Sequence, residues 1–177
     1  MLINLYETLS VVGLTKTTKA DLQEQTVSFF GEDILVKGTD TFDVHCTHTE
    51  KSIVCVECSA NVCVVSSCGR CLEDVSNAYQ VDIKRYIDLD KQEAYTDNKE
   101  ECESISYIED CTLDVDMLIL DELYTILPMN VLCKEDCKGI CKVCGTNLNK
   151  SACNCDQTVP DPRMAVFNDI FNQFKEV

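Results

Sequence analysis

The chain has 177 residues, 45% of them hydrophobic, and a formal net charge of −16. This length and hydrophobic content predict one domain, or one domain with a small appendage, large enough to build a core. The negative charge argues against broad binding to nucleic-acid backbones, because like charges repel unless the basic residues are gathered on one surface.

The N-terminal sequence MLINLYETLSVVGL lacks the basic start and compact apolar stretch of a signal peptide. No run of the sequence approaches the ~18 apolar residues of a membrane span. We therefore expect a cytoplasmic protein without membrane contact. The chain has fourteen cysteines, and in a reducing compartment such a number favours metal ligation or free thiols over disulfides.

The first half of the chain is predicted to be rich in β-strands. In residues 41–48, Phe42, Val44 and Cys46 alternate with polar residues, as on a half-buried strand. Other strand-like segments are 26–30, 51–58, 61–67 and 75–87. Short strands joined by short turns predict an antiparallel meander, folded as a sandwich or a partly open barrel.

An acidic segment follows the predicted strands. The span 88–116 carries eleven Asp or Glu against Lys91 and Lys99, and its apolar residues show no clear period through residue 112. A segment without periodicity and with high charge is typical of a solvated loop. We therefore interpret residues 88–112 as a long acidic loop.

Two helices are predicted in the second half of the chain. Apolar residues at helical spacing indicate the first over 114–127, with Asp114 or Asp116 as its N-cap and Pro128 ending it. The second begins at Asp161 and Pro162. Its apolar stripe consists of Met164, Phe167, Ile170, Phe171 and Phe174. We interpret this stripe as packing on the protein's own core, with docking to a partner as the alternative.

These patterns predict an α+β protein that is mainly antiparallel β, with a packed helix, a cysteine-rich zinc-binding segment and a terminal helix. The expected division is a β-rich domain over residues 1–128 and a metal-binding segment over 129–177. The second part is expected to dock on the first.

Six cysteines lie in the short run CKEDCKGICKVCGTNLNKSACNC, from Cys133 to Cys155. A structural zinc takes four ligands, so six thiols exceed the need of one ion and do not complete two. Cys141 and Cys144 form a CxxC pair followed by glycine, and Cys153 with Cys155 forms a close second pair. We predict that these four cysteines form one tetrahedral site.

The remaining pair, Cys133 and Cys137, needs two further ligands from elsewhere in the chain. The segment SSCGRCLEDV places Cys68 and Cys71 in another CxxC, at the expected tip of a β-hairpin. We predict that these four cysteines form a second site. Such a site requires a long-range contact between the hairpin tip and the cysteine run.

Two alternatives remain open at this point. The first is a single zinc with Cys153 and Cys155 as spare thiols. Its ligands would be Cys133, Cys137, Cys141 and Cys144. The second is an iron–sulfur cluster, which also takes four thiolates, although paired knuckles favour zinc. We therefore expect one or two structural Zn²⁺ ions.

The other cysteines are not assigned to a site. They are Cys46, Cys55, Cys58, Cys63, Cys102 and Cys111. Cys55 and Cys58 form a CxxC, but extended residues three apart point to opposite faces, so we interpret this pair as small buried hydrophobic residues. His45 and His48 are interpreted as ordinary sheet residues. The sequence contains no GxSxG, P-loop or GxGxxG motif, and no catalytic residue is predicted.

Three segments carry the most distinctive motifs. They are SCGRCLEDV at 67–75, LDVDMLILDELYTILPMNVLCKEDCKGICKVCGTNLN at 113–149 and CNCDQTVPDPRMAVFNDIF at 153–171. In this order they resemble the YceD family of large ribosomal RNA subunit accumulation proteins, and the opening MLINLYETLS is similar to clostridial-type members. The resemblance implies a bacterial cytoplasmic protein needed for accumulation of large-subunit ribosomal RNA. It implies no established enzyme activity.

We therefore predict a non-catalytic factor that supports large-subunit ribosomal RNA accumulation or ribosome assembly and is stabilised by structural zinc. The expected partner is a large-subunit component, either a ribosomal protein or rRNA, and no small-molecule substrate is expected. The possible contact residues are Arg70, Lys134, Lys138, Lys142 and Arg163. The alternative is a thiol-redox or zinc-dependent enzyme, which needs a reactive thiol or an open metal position.

Overall fold

The computed structural model of the chain describes residues 1–96 and 103–155. The strands in these ranges are β1 (Leu2–Asn4), β2 (Thr15–Ala20), β3 (Gln25–Phe29), β4 (Glu32–Gly38), β5 (Phe42–Glu50), β6 (Ile53–Ser67), β7 (Asp74–Asp88), β8 (Glu93–Tyr95), β9 (Glu103–Ser104), β10 (Ile108–Glu109) and β11 (Thr112–Asp114). The helices are α1 (Tyr6–Leu9) and α2 (Val115–Ile126). Within the described ranges, no helix has the length and apolar character that crossing a membrane requires.

The chain divides into two compact units. The sheet unit consists of Met1–Ser67 and Asp74–Val131. The cysteine unit consists of Cys68–Glu73 and Leu132–Val177, of which residues 156–177 lie outside the described part. The short segment that follows β6 in the sequence therefore belongs with the distant cysteine run.

In the described residues, the main sheet of the sheet unit has eight strands, with the path β2-β5-β6-β7-β8-β9 and with β3 and β4 beside it. Its strand pairs are antiparallel, and β6 and β7 pair along their whole length, from Ile53↔Asp88 to Ser67↔Asp74. The other edge of β6 pairs with β5 near its start and with β4 near its end. The predicted mainly antiparallel α+β class is confirmed.

Two predicted strands are one. Residues 51–58 and 61–67 were expected as separate strands, but β6 runs without interruption through Ser59 and Ala60, which pair with β7. Small side chains interrupt the apolar alternation that identifies a strand in the sequence. Continuous pairing with β7, a strand of equal length, keeps the chain extended through these residues. The hairpin stem is therefore longer than the sequence pattern indicated.

The core of the sheet unit lies on one face of the main sheet. In β6 the inward residues are valines, Cys58 and Ala60, and in β5 they include Val44 and Cys46; all of these side chains are buried. Helix α2 contacts β7 and buries Leu118, Ile119 and Leu123. The alternation predicted for 41–48 is thus the alternation of buried and exposed side chains along β5.

Helix α2 matches the helix predicted over 114–127. Asp114 is its N-cap, and the carboxylate accepts hydrogen bonds from the backbone N–H groups of Asp116 and Met117. Arg85 donates to Glu122 at 2.7 Å in a partly buried contact, which joins β7 to the helix. A short side-chain oxygen satisfies donors that the first helical turn leaves unpaired, so the capping residue could be recognised from the sequence.

The interpretation of residues 88–112 as a loop is wrong for part of that span. β7 extends to Asp88, and β8, β9 and β10 lie within the range, while residues 97–102 lie outside the described part. β10 joins a small antiparallel sheet of order β1-β11-β10 through a turn in which Asp110 and Cys111 have positive φ. Strands of two or three residues are too short to produce a visible period of two.

Candidate metal centres

The first cysteine cluster begins in the turn after β6. The N–H of Cys68 donates to the carbonyl of Glu73 at 2.8 Å, and the N–H of Leu72 donates to the carbonyl of Cys68 at 3.0 Å. These bonds close a tight turn that presents Cys68 and Cys71 on one side. Leu72 has φ of 59°, a left-handed conformation that costs a residue with a side chain roughly 1–2 kcal/mol.

A second segment of the cysteine unit meets this turn. Gly139 has φ of 74°, and a Cβ at this position would lie 3.0 Å from the carbonyl oxygen of Arg70. The N–H of Ile140 donates to the same oxygen at 3.2 Å. The contact therefore depends on glycine twice, for its conformation and for the close approach of the two backbones.

The contact brings together the sulfurs of four cysteines. The Sγ atoms of Cys68 and Cys137 are 3.9 Å apart, and those of Cys71 and Cys133 are 3.6 Å apart. All four sulfurs lie within 4.8 Å of one another. Three of the residues are buried and Cys133 is exposed. The long-range contact expected between the hairpin tip and the cysteine run is present.

The second cluster forms from residues close together in sequence. The N–H of Cys141 donates to the carbonyl of Thr146, and Gly145, with φ of 72°, donates back to the carbonyl of Cys141. This turn pairs Cys141 with Cys144. Their sulfurs and those of Cys153 and Cys155 lie within 4.8 Å of one another. Cys141 is buried, Cys144 is exposed, and the other two are half-buried.

The spacing of the sulfurs fits a metal ion in each cluster. Separations of 3.6 and 3.9 Å in the first cluster are far longer than a disulfide bond of about 2.05 Å. Two thiolates at about 2.3 Å from a tetrahedral ion are about 3.8 Å apart. The alternative set of four is divided between the clusters, because Cys133 and Cys137 lie in the first, and Cys141 and Cys144 in the second.

The electrostatics of the first cluster favour a cation. Backbone N–H groups of Cys71, Arg70 and Cys133 donate to the sulfur of Cys68 and lower its pKa to about 6. Removal of the sulfur from water, together with the neighbouring sulfurs, raises the pKa of Cys133 to about 12. A thiolate at Cys68 therefore lies beside a thiol that resists ionisation, and a divalent cation would stabilise both as thiolates.

The second cluster also combines a sulfur whose pKa is lowered with one whose pKa is raised. The hydroxyl and N–H of Thr146 donate to the sulfur of Cys144 and lower its pKa to about 6. The nearby sulfur of Cys144, followed by burial, raises the pKa of Cys155 to about 12. Both clusters thus consist of closely spaced sulfurs that cannot all ionise without a compensating positive charge.

Two of the five predicted contact residues form side-chain contacts within the cysteine unit. Arg70 donates through Nη1 to the carbonyl of Cys137 at 3.0 Å, so its guanidinium stabilises the first cluster. The Nζ of Lys134 lies 3.8 Å from Asp136. Lys138 and Lys142 are exposed and form no side-chain hydrogen bond or ion pair within the described part. Arg163 lies outside the described residues.

The cysteines of the sheet unit have different surroundings. Cys46 and Cys58 are buried on the core face, and burial raises their pKa to about 11 and about 12. Cys55 is also buried but lies on the opposite face of β6, as expected for extended residues three apart. Cys63 contacts Ser76 at 3.1 Å. Cys111 is half-buried, and Cys102 lies outside the described residues.

The two histidines lie on β5. His45 is exposed and bonds to Thr17 at 2.9 Å, and His48 is buried with its Nε2 bonded to the carbonyl of Lys51. Neither belongs to a cysteine cluster. Their positions agree with the interpretation of both as sheet residues.

Sequence reasoning did not identify Asn149. Its Nδ2 donates to the sulfur of Cys137 at 3.2 Å, and its Oδ1 accepts from the N–H of Lys138 at 2.9 Å. Asn147 is close by in sequence and accepts from the N–H of Asn149. The segment Asn-Leu-Asn between two cysteine pairs was the available signal, because asparagine side chains often bond nearby backbone groups in turns.

The whole set of eight cysteines lies within residues 56–171, the range that matches the family model described as "Large ribosomal RNA subunit accumulation protein YceD". The chain belongs to the YceD family. The family is named for accumulation of large-subunit ribosomal RNA, and the resemblance inferred from the motifs is confirmed.

Relatives of this chain occur in mycobacteria and in a plant. It is 29% identical over 128 residues to an uncharacterised protein of Mycobacterium leprae, covering 72% of this chain and 48% of that protein. It is 30% identical over 101 residues to one of Mycobacterium tuberculosis, covering 57% and 47%. The chain spans about half the length of these mycobacterial relatives.

A more distant relative is the chloroplastic "Large ribosomal RNA subunit accumulation protein YCED homolog 1" of Arabidopsis thaliana. The identity is 28% over 64 residues, which are 36% of this chain and 20% of the plant protein. No solved structure matches the chain.

Proposed function

We propose that this YceD-family chain is a non-catalytic, cytoplasmic bacterial factor that supports accumulation of large-subunit ribosomal RNA, with a structural Zn²⁺ in each cluster. The observation that carries the proposal is the grouping of eight cysteines into two sets of four, each within 4.8 Å. Four thiolates complete the coordination of zinc and leave no position for a reacting water. The clusters therefore suit a structural role better than hydrolysis.

Single ions suit these clusters better than iron–sulfur clusters. An iron–sulfur cluster places iron and sulfide atoms between its cysteine ligands, which holds the thiolates farther apart than around one ion. Separations of 3.6 and 3.9 Å leave space for one ion in the first cluster. Zinc is proposed because thiolates bind it strongly and because CxxC turns are typical of its structural sites.

Elemental analysis of protein purified without added metal tests this proposal. We expect two zinc ions per chain. A value of one would favour the alternative set of four ligands, and iron in place of zinc would contradict the choice of metal. Protein that contains no metal and binds none on titration would contradict the metal proposal as a whole.

The enzymatic alternative makes a different prediction for the thiols. Structural sites protect all of their cysteines, whereas thiol chemistry requires an accessible thiolate. Mass-spectrometric mapping of alkylated cysteines in the metal-loaded protein separates the two. We expect protection at the eight cluster cysteines, and one cluster cysteine that reacts far faster than a free thiol would favour an enzyme.

The charge of the cysteine unit bears on the partner. In its described part, the basic residues are Arg70, Lys134, Lys138, Lys142 and Lys150, and the acidic residues are Glu73, Glu135 and Asp136. Two centres of four thiolates and one divalent ion each carry a charge of −2 and convert this small positive excess into a negative one. We therefore propose a basic segment of a large-subunit protein as the partner, with Lys138 and Lys142 offsetting the charge of the centres.

Charge reversal distinguishes a protein partner from RNA. In cells that lack the native gene, the pair Lys138→Glu and Lys142→Glu should retain large-subunit RNA levels and association with large-subunit particles. The matched control reverses Lys19 and Lys37, two exposed lysines of the sheet unit. Loss of association in the first variant but not in the control would indicate contact with RNA phosphates. Normal RNA levels in cells without the gene would contradict the function itself.

A further inference from the structure

Asn149 occupies a position that involves both clusters. It lies in the loop between the two ligand pairs of the second cluster, after Cys144 and before Cys153. Its side chain, however, contacts a ligand of the first cluster, because Nδ2 donates to the sulfur of Cys137 at 3.2 Å. The loop of the second cluster therefore positions Asn149, and the Asn149 side chain donates a hydrogen bond to a cysteine of the first cluster.

The orientation of the Asn149 amide is determined by its second bond. The Oδ1 atom accepts from the N–H of Lys138 at 2.9 Å, and a backbone N–H can only be satisfied by the oxygen of the amide. The NH₂ group must then face the sulfur of Cys137. The arrangement suits a thiolate, since a hydrogen-bond donor stabilises the charged form of an acceptor more than the neutral form.

The backbone around Asn149 is held by the turn of the second cluster. Leu148 donates to the carbonyl of Gly139 at 2.9 Å, and Ile140 and Asn147 form an isolated antiparallel bridge. The N–H of Cys141 donates to Thr146 at 2.8 Å at the start of the same turn. Closing the second cluster therefore fixes the segment that carries the Asn149 amide.

The effect on Cys137 has a physical basis. Cys137 is buried, and the Asn149 amide supplies its sulfur with a hydrogen-bond donor at 3.2 Å. A donor to a ligand sulfur also orients that ligand, and loss of such outer contacts typically costs 10–100-fold in metal affinity. The contact is thus placed to affect how tightly the first cluster retains an ion.

We propose that Asn149 is a positioning residue that couples the two clusters, so that an ion in the second increases retention of an ion in the first. The inference depends on the proposed metal binding. It predicts that an ion dissociates from the first cluster faster once the second cluster is empty. The second cluster is partly exposed, with Cys144 at the surface, and its occupancy then affects metal retention in the more buried first cluster.

A second link between the same segments must be separated from this one. The Nζ of Lys150, the residue after Asn149, forms an ion pair with Glu73 beside the first cluster. Both side chains are well exposed, so salt screens this pair, whereas the partly buried Asn149–Cys137 bond is screened much less. Measurements at high salt therefore isolate the contribution of Asn149.

A double-mutant cycle tests the proposal. The second cluster is disabled by Cys153→Ser with Cys155→Ser, in chains that carry either Asn149 or Asn149→Ala. Zinc in the first cluster is titrated with a competing chelator, and its occupancy is read from protection of Cys68 and Cys71 against alkylation. These two cysteines belong to the first cluster alone.

With Asn149 present, disabling the second cluster should weaken the first about tenfold, the lower end of the range for lost outer contacts. With Asn149→Ala, the first cluster should already be weaker by about the same factor, and disabling the second should add little. Equal weakening in both backgrounds, or no weakening in either, would overturn the coupling.

Two further variants separate the sulfur contact from a role in the turn. Asn149→Asp keeps an oxygen for the N–H of Lys138 but removes the donor to Cys137, so it should weaken the first cluster at least as much as Asn149→Ala. If Asn149→Asp restores wild-type retention, the residue acts only through the turn. Ser151→Ala is the control, because Ser151 is exposed in the same loop, between Cys144 and Cys153.

The failure of this inference is distinguishable from failure of the proposed function. Absence of bound zinc from the unaltered chain would contradict the metal proposal. Two bound ions released independently would leave the metal proposal intact and contradict the coupling. Cobalt substitution adds a spectroscopic reading, since loss of the donor to Cys137 should move the thiolate charge-transfer band to lower energy in Asn149→Ala. The band should be unchanged in Ser151→Ala.

Discussion

Cysteine has opposite roles in the two units. In the sheet unit, Cys46 and Cys58 lie among apolar side chains, and burial raises their pKa to about 11 and about 12. In the cysteine unit, hydrogen-bond donors lower the pKa of Cys68 and Cys144 to about 6. The difference indicates that the immediate donors around a sulfur, more than the spacing of a CxxC motif, distinguish a candidate ligand from a core cysteine.

The broadest test of this comparison is removal of metal. If metal holds the cysteine unit together, a strong chelator should abolish hydrogen-exchange protection at Cys68 and Cys141, whose N–H groups close the cluster turns. Protection of the β6–β7 ladder should persist, because it depends on strand pairing and apolar burial. Unchanged exchange at both cysteines after complete removal of metal would contradict a structural role for the ions.

Replacement of one ligand should have the next largest effect. Cys137→Ser substitutes a hard hydroxyl for a thiolate, and the bound metal should fall from two ions to one per chain. The matched control, Cys63→Ser, changes a sheet-unit cysteine that is half-buried and contacts Ser76, and it should retain both ions. Elemental analysis of both variants measures the number of bound ions. Loss of metal from the control would contradict the distinction between the cysteines of the two units.

A core cysteine should affect stability without affecting metal. Cys58→Ser places a hydroxyl among apolar side chains, which costs about 1–3 kcal/mol when the group has no hydrogen-bond partner. We expect this decrease in the free energy of unfolding of the sheet unit from urea titration, with an unchanged metal content. A change of metal content in this variant would show that the two kinds of cysteine are not independent.

The smallest expected effect is on stability at alkaline pH. The pKa of Cys58 is raised from its ordinary value of 9.0 to about 12, so the folded sheet keeps this proton while the unfolded chain loses it. Stability from this thiol is complete below pH 9 and declines as the pH rises toward 12, by up to about 1.4 kcal/mol per pH unit.

Cys58→Val removes this contribution and should flatten the decline. The measurement is a series of urea titrations of both proteins between pH 8 and pH 10 (roughly the start of the affected range). Parallel pH profiles for the two proteins would show that Cys58 titrates as it does in the unfolded chain.

Much of the fold could be predicted where the sequence has a clear period or a clear cap. The alternation at Phe42, Val44 and Cys46 identified β5, and Asp114 identified the start of α2. The strands after Asp88 could not be recognised, because two or three residues do not establish a period. The continuity of β6 through Ser59 also depends on pairing with β7, which is a property of the tertiary structure.

The grouping of the cysteines could be predicted from ligand counting, whereas the contacts that orient them could not. A shortage of two ligands at Cys133 and Cys137 indicated the hairpin as their source, and the sulfurs do lie together. The hydrogen bond from Asn149 to Cys137 depends on two turns meeting in space. Gly139 was a visible feature of the sequence, but its close approach to Arg70 depends on two segments that are distant in sequence.

The separation of the first cluster's ligands in the sequence has a consequence during synthesis. Cys68 and Cys137 are 69 residues apart, so at typical elongation rates roughly 3–14 s pass between the synthesis of Cys68 and that of its last partner. The second cluster is complete within fourteen residues, from Cys141 to Cys155, or roughly 1–3 s. If the first cluster binds a metal, a newly made chain therefore spends this period with only Cys68 and Cys71 of the four thiols, and other metals and oxidants then have their best access.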